Sequence, residues 1–139
     1  MSFPLAKLWA TSIFVGTMVS LDLFSSQPAY AGCGNFNAYG WSVDVSTGKT
    51  VEVFEIGEVS TCGNMHNSFA SFSKDNFEFG WAICYLPTSC ESGWQPNTLY
   101  VYIDGRRETG EANPLGSLRS DGLCVQQSES QMKYCWKPI

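Results

Sequence analysis

The sequence predicts an α+β domain: a small disulfide-stabilised antiparallel β-sheet with one packed helix. Three observations carry that expectation. Alternating and apolar segments recur along residues 39–56, 77–85 and 99–104, as strands require. Met65, Phe69 and Phe72 stand at i, i+4 and i+7, one face of a helix. Six cysteines, at 33, 62, 84, 90, 124 and 135, all follow a leader-like N-terminal segment. An all-β sandwich is the alternative architecture.

The leader comes first. Lys7 supplies a positive n-region, and Leu8 to Val19 is a short apolar run followed by Asp22. A run of about twelve residues suits a signal peptide and falls below the ~20 needed to span a bilayer. Ala29-Tyr30-Ala31 fits signal peptidase, so cleavage is expected before Gly32. Residues 1–31 are therefore read as a signal peptide and 32–139 as a single secreted, disulfide-rich domain. Removing 31 of 139 residues leaves 108, one domain's worth of chain. No later apolar run is long enough to cross a membrane, and membrane insertion is not expected.

Tyr39, Trp41, Val43 and Val45 alternate with Gly40, Ser42, Asp44 and Ser46, the signature of a half-buried strand. Ser46-Thr47-Gly48-Lys49 reads as a hairpin turn, and Val51 to Ile56 as the returning strand. The predicted helix follows Cys62, with Thr61 as its N-cap. Phe77 to Tyr85, apolar on both faces, is the expected central strand. Leu99 to Asp104 is another, ending in a turn at Gly105. Residues 105–122 hold two leucines and one alanine among Gly, Pro and charges, which predicts a long exposed loop. Leu123 to Val125 and Met132 to Trp136 close the chain as a hairpin around Ser128-Glu129-Ser130.

Six cysteines allow 15 pairings. Cys84 and Cys90 enclose a short loop and can pair locally. Cys33, at the start of the mature chain, is expected to tie to a distant partner such as Cys124 or Cys135. With no Cys-x-x-Cys in an exported chain, oxidised cysteines are expected rather than a metal site. No cofactor is implied, and a monomer is expected.

The formal net charge is −5. This acidity speaks against nucleic acid as a partner, since phosphate neutralisation needs Lys and Arg. It also speaks against cationic membrane lysis.

His66, the only histidine, would have to serve any Ser-His-Asp or Cys-His mechanism, and a partly exposed helix histidine is the plainer reading. Glu52, Glu55, Glu58, Glu78 and Asp104 are the strand carboxylates that a glycoside hydrolase could use. Glu78 stands out because it interrupts the most apolar strand, where an acid must reach an edge or find a partner. A ribonuclease would need His66, Glu78 and Arg106 together. None of these patterns is a specific catalytic signature.

Trp94 lies in the polar segment Ser92-Gly93-Trp94-Gln95-Pro96-Asn97, where it would stack on a sugar, anchor a partner or fold back over Cys84 and Cys90. Tyr100 and Tyr102 share a strand face opposite Leu99, Val101 and Ile103. Arg106-Arg107 is a dibasic pair in the expected loop and a candidate cleavage site for processing proteases. Cleavage would leave 32–107 and 108–139 joined, if at all, through Cys124 or Cys135. Trp94, Tyr100, Tyr102, Arg106 and Arg107 are the candidate binding residues. No Asn-x-Ser/Thr sequon occurs.

A signal peptide, about a hundred mature residues, six cysteines and abundant aromatics make a layout that resembles the small cysteine-rich secreted effector or avirulence proteins of plant-associated fungi. The resemblance implies a non-enzymatic extracellular protein, with entry into host tissue or cells as a further route. It implies binding to a host extracellular or intracellular protein or to cell-wall polysaccharide, or recognition by host receptors as an avirulence factor. The rival readings are a lectin-like polysaccharide-binding module, a secreted toxin and a small hydrolase.

Overall fold

The computed structural model describes residues 32–118 and 121–139, so the predicted signal peptide lies outside the described residues. Eight antiparallel strands follow one another: β1 (Gly32–Asp44), β2 (Thr50–Gly63), β3 (Asn67–Lys74), β4 (Phe77–Cys84), β5 (Tyr100–Ile103), β6 (Arg106–Pro114), β7 (Leu123–Gln127) and β8 (Met132–Pro138). Each pairs with its neighbours in sequence, and β8 pairs with β1 to close a barrel. Closure removes most of the unpaired edge that an open sheet would present.

This corrects the α+β expectation. Helical structure among the described residues is confined to 3-10 conformation, at the single turn Pro87–Ser89 and at Asp121. The segment expected to be a helix holds the end of β2, a turn and β3. Its three apolar residues go to three different places. Met65 sits in the turn, 64% exposed; Phe72 is in the core; Phe69, an odd number of positions away on the same strand, faces outward beside Cys62 and Ala82. The turn is shaped by Asn64, whose Oδ1 accepts hydrogen bonds from the amides of His66 (2.7 Å) and Asn67 (2.9 Å). A Ser- and Asn-rich segment has weak helix propensity, and pairing on both sides within the barrel outweighs it. The all-β alternative fits, although one sheet closes on itself where a sandwich would stack two.

The loop expected over 105–122 is also corrected. Its first half is β6, paired with both β5 and β7. The strand escaped notice because its inward positions, Arg106, Glu108, Gly110 and Ala112, include no large apolar residue. At Gly110 a Cβ would lie 2.8 Å from Val101 Cγ2, so a larger side chain there would collide with the core.

The first strand alternates as expected, yet its small residues face the core. Ala38 and Ser42 are almost fully buried, and Tyr39 is 42% exposed on the outer face with Trp41, their rings 6.0 Å apart. Gly40, between Ala38 and Ser42, leaves room for the Phe72 ring. A bulge shifts the β1–β2 register at Gly40/Trp41, with Glu55 at φ 65°, and turns Phe54 inward. Phe54, Phe72, Phe77, Phe79 and Tyr134 then stack in the lumen, with centroid separations such as 4.8 Å for Phe54–Phe77 and 5.1 Å for Phe72–Phe79. Such pairs add about 0.5–1.5 kcal/mol each beyond their buried area.

All six cysteines are paired. Cys84–Cys90 closes locally as expected. Cys33 pairs with Cys62, directly opposite on β2, and Cys124 with Cys135, directly opposite on β8. The expectation of a long-range tie from Cys33 is corrected: neighbouring strands of the barrel already hold it. No helix among the described residues is long and apolar enough to cross a membrane.

Candidate functional site

The β4–β5 connection carries Trp94 across the outside of the barrel. Several restraints hold it. The Cys84–Cys90 bridge ties down its first turn. The Trp94 amide donates to Glu91 O (3.0 Å) and the Asn97 amide to Cys84 O (2.7 Å). Gly93 at φ 89° and Asn97 at φ 60° take the left-handed conformations that bring the chain back. Finally, the Gln95 amide donates to the Tyr100 hydroxyl at 2.9 Å.

Strand alternation places Tyr100 and Tyr102 on the outer face of β5, and Val101 and Ile103 inward. Opposite them, β6 sets Thr109 across from Tyr100 and Arg107 across from Tyr102. Arg107 thus lies diagonal to Tyr100, within reach of a long side chain. Its guanidinium sits 4.6 Å from the Trp94 ring centroid and 5.1 Å from that of Tyr100. The two rings are 4.8 Å apart and inclined at 57°. A cation over aromatic faces at an exposed site contributes about 0.5–1 kcal/mol, enough to order the arginine.

Tyr102 extends this face. Burial raises its pKa above the usual tyrosine value, the nearby Glu78 carboxylate raises it further, and a hydrogen bond with Ser71 opposes both. On the other side of Trp94 lies a pocket of about 270 Å³, lined by Phe69, Ala82, Ser89, Asn67 and Glu91 among others. Phe69 reaches this pocket because it faces outward. The Asn67 and Glu91 side chains make no hydrogen bond or ion pair among the described residues.

Of the five candidate binding residues, Trp94, Tyr100, Tyr102 and Arg107 come together. Arg106 does not. As the neighbour of Arg107 in a strand it points to the opposite face, where Nη2 donates to Gln127 Oε1 (3.4 Å) and Nε lies 3.5 Å from the Glu108 carboxylate. Gln127 is buried there and donates to the carbonyls of Val101 (3.1 Å) and Arg106 (2.7 Å). The dibasic pair is thus divided between two faces of a paired strand.

The ribonuclease set His66, Glu78 and Arg106 does not come together, whereas two of the strand carboxylates, Glu52 and Asp104, line one cleft. His66 is exposed in the β2–β3 turn, its carbonyl accepting from the Tyr85 amide and Ser89 Oγ. Glu78 and Arg106 lie toward the other end of the barrel, near the β3–β4 and β5–β6 turns, and Glu78 faces water. No group of three or more His, Cys, Asp or Glu side chains among the described residues is placed to hold a metal ion.

Sequence reasoning missed Arg107's stacking partners and the pocket residues Asn67, Phe69 and Glu91. The short Cys84–Cys90 spacing was the one signal that the loop folds back. No protein-family model, curated protein or solved structure matches this chain.

Proposed function

We propose that the chain is an exported effector that works by binding a host protein, without catalysis, through the outer face formed by Trp94, Tyr100 and Arg107. One observation carries this reading: Trp94 and Arg107, two of the residue types that most often dominate interface energetics, lie together on one exterior face, backed by the buried Tyr100. The cross-linked loop and the ordered arginine supply preorganisation, which lowers the entropy lost on association. All-oxidised cysteines suit an extracellular route. The pocket beside Trp94 supports a second reading, lectin-like binding of a cell-wall polysaccharide, with Trp94 against a sugar face and Asn67 and Glu91 near its hydroxyls.

The test is infiltration of the oxidised, processed chain into leaves of several plant genotypes, scoring localised cell death. Cell death confined to some genotypes, and lost in Trp94→Ala and Arg107→Ala, is the expected result. Retained, genotype-restricted death in both variants would remove this face from the function. Uniform death would favour a toxin. Absence of any response, with retention on insoluble cell-wall polysaccharide that depends on Trp94 and Glu91, would favour the lectin-like reading.

A further inference from the structure

We propose that the barrel lumen, at the end bearing the β2–β3, β4–β5 and β6–β7 connections, binds one small apolar molecule with a single aromatic or alicyclic ring. An eight-stranded barrel is just wide enough either to be filled by its own side chains or to hold one small ligand. This barrel does one at each end. Toward the β3–β4 turn, the lumen is filled by Phe54, Phe72, Phe77, Phe79 and Tyr134. At the other end the inward side chains stand apart instead of stacking, and a cavity of about 230 Å³ opens between Phe36, Val59, Ala70, Trp81, Leu123 and Trp136.

The lining defines the ligand. Among the described residues it contains no charged side chain. Its one hydroxyl, Thr61 Oγ1, already donates to the Phe69 carbonyl at 3.2 Å. A water molecule needs two to four polar partners to be held, whereas apolar cavities stay dry and accept apolar guests. A cavity of about 150 Å³ is enough for benzene, and this one is larger. Trp136 and Leu123 are buried at its wall, while Phe36 stands at the mouth with 39% of its surface exposed. Aromatic rings on several sides favour a flat or ring-shaped guest. This site is separate from the outer face of Trp94 and does not depend on the role proposed for it.

The test is a titration of the oxidised protein with benzene, followed by methyl NMR. Saturable shifts are expected for Val59, Thr61, Ala70 and Leu123, with Val45 and Val51 unmoved. Ala70→Leu, which places three more carbons in the cavity, should abolish the saturable shift. Thr61→Val, which removes the hydroxyl at nearly constant volume, should retain it, and so should Trp94→Ala. The wild-type map decides the matter even where Ala70→Leu fails to fold. No saturable shift up to the solubility limit of benzene, or shifts centred outside these lumen residues, would overturn the proposal.

Discussion

The Phe72 ring occupies the space where a side chain on Gly40 would be. A Cβ at Gly40 would lie 2.5 Å from Phe72 Cζ, and one at Gly57 would lie 2.7 Å from the same atom. Two glycines on adjacent strands thus form the seat for one aromatic ring in the lumen. Gly40→Ala is expected to destabilise the protein by about 1–3 kcal/mol through overpacking. Combining it with Phe72→Leu should cost less than the sum of the two single changes, because the smaller side chain relieves the collision. Urea denaturation of the four proteins measures this, and strictly additive costs would show that the two residues do not share the space.

Arg107 and Trp94 are expected to couple in stability by about 0.5–1 kcal/mol. A double-mutant cycle with Arg107→Ala and Trp94→Leu, which removes the ring, isolates the term when read by chemical denaturation. Arg107→Lys should keep only part of it, since an ammonium lacks the planar guanidinium that stacks on a ring. A coupling near zero would mean that the arginine is not ordered by the rings.

The three disulfides should contribute unequally. In the chain-entropy account, the bridge spanning 29 residues, Cys33–Cys62, is worth about 3.5 kcal/mol and that spanning 6, Cys84–Cys90, about 2 kcal/mol. Replacing each pair by serine and comparing denaturation midpoints checks the order. The Cys84–Cys90 replacement should in addition loosen the loop that carries Trp94, seen as faster exchange of the Trp94 and Asn97 amides.

Proteolysis distinguishes the strand from the loop expected over 105–122. With Arg106 and Arg107 in a strand paired on both sides, the native protein should resist trypsin there. None of the three bridges crosses the bond after Arg107, so chains cut at this point should separate on a non-reducing denaturing gel. Cys124 and Cys135, through which the halves would be joined if at all, pair with each other and leave them unlinked. Rapid native cleavage, or fragments that stay linked without reductant, would contradict the pairing.

High pH should destabilise the protein through Tyr102 and Tyr134. Burial raises the pKa of both phenols in the folded state. The unfolded chain therefore releases these protons first, so their contribution is complete below about pH 10 and is lost as pH rises through the folded values. Tyr102→Phe should make the decline in stability above pH 10 shallower. An unchanged slope would mean that Tyr102 titrates alike in both states.

Much of the strand content was legible, and the reason is visible residue by residue. Phe77 to Tyr85 is apolar enough to announce a strand in isolation, and Gly105 announces the turn after Ile103. The false helix arose from Met65, Phe69 and Phe72, whose spacing fits a helical face although they occupy a turn, an outer face and the core. Of the candidate site, Trp94 was legible as a large aromatic in a polar turn. Arg107 was legible only as half of a basic pair, because nothing local reveals which face of an undetected strand it takes.

By itself, the sequence determined the disulfide-bonded character, the acidic balance, most strand positions and the local Cys84–Cys90 bridge, since each depends on residue type or short spacing. The tertiary structure decided the closure of β8 on β1, the partner of Cys33, the inward turn of Ala38, Gly40 and Ser42, and the meeting of Trp94, Tyr100 and Arg107. These depend on strand order and register, in which a shift of one residue exchanges the two faces. Local patterning cannot select among such registers. Filling the lumen can, because only one alignment seats Phe72 against Gly40 and Gly57.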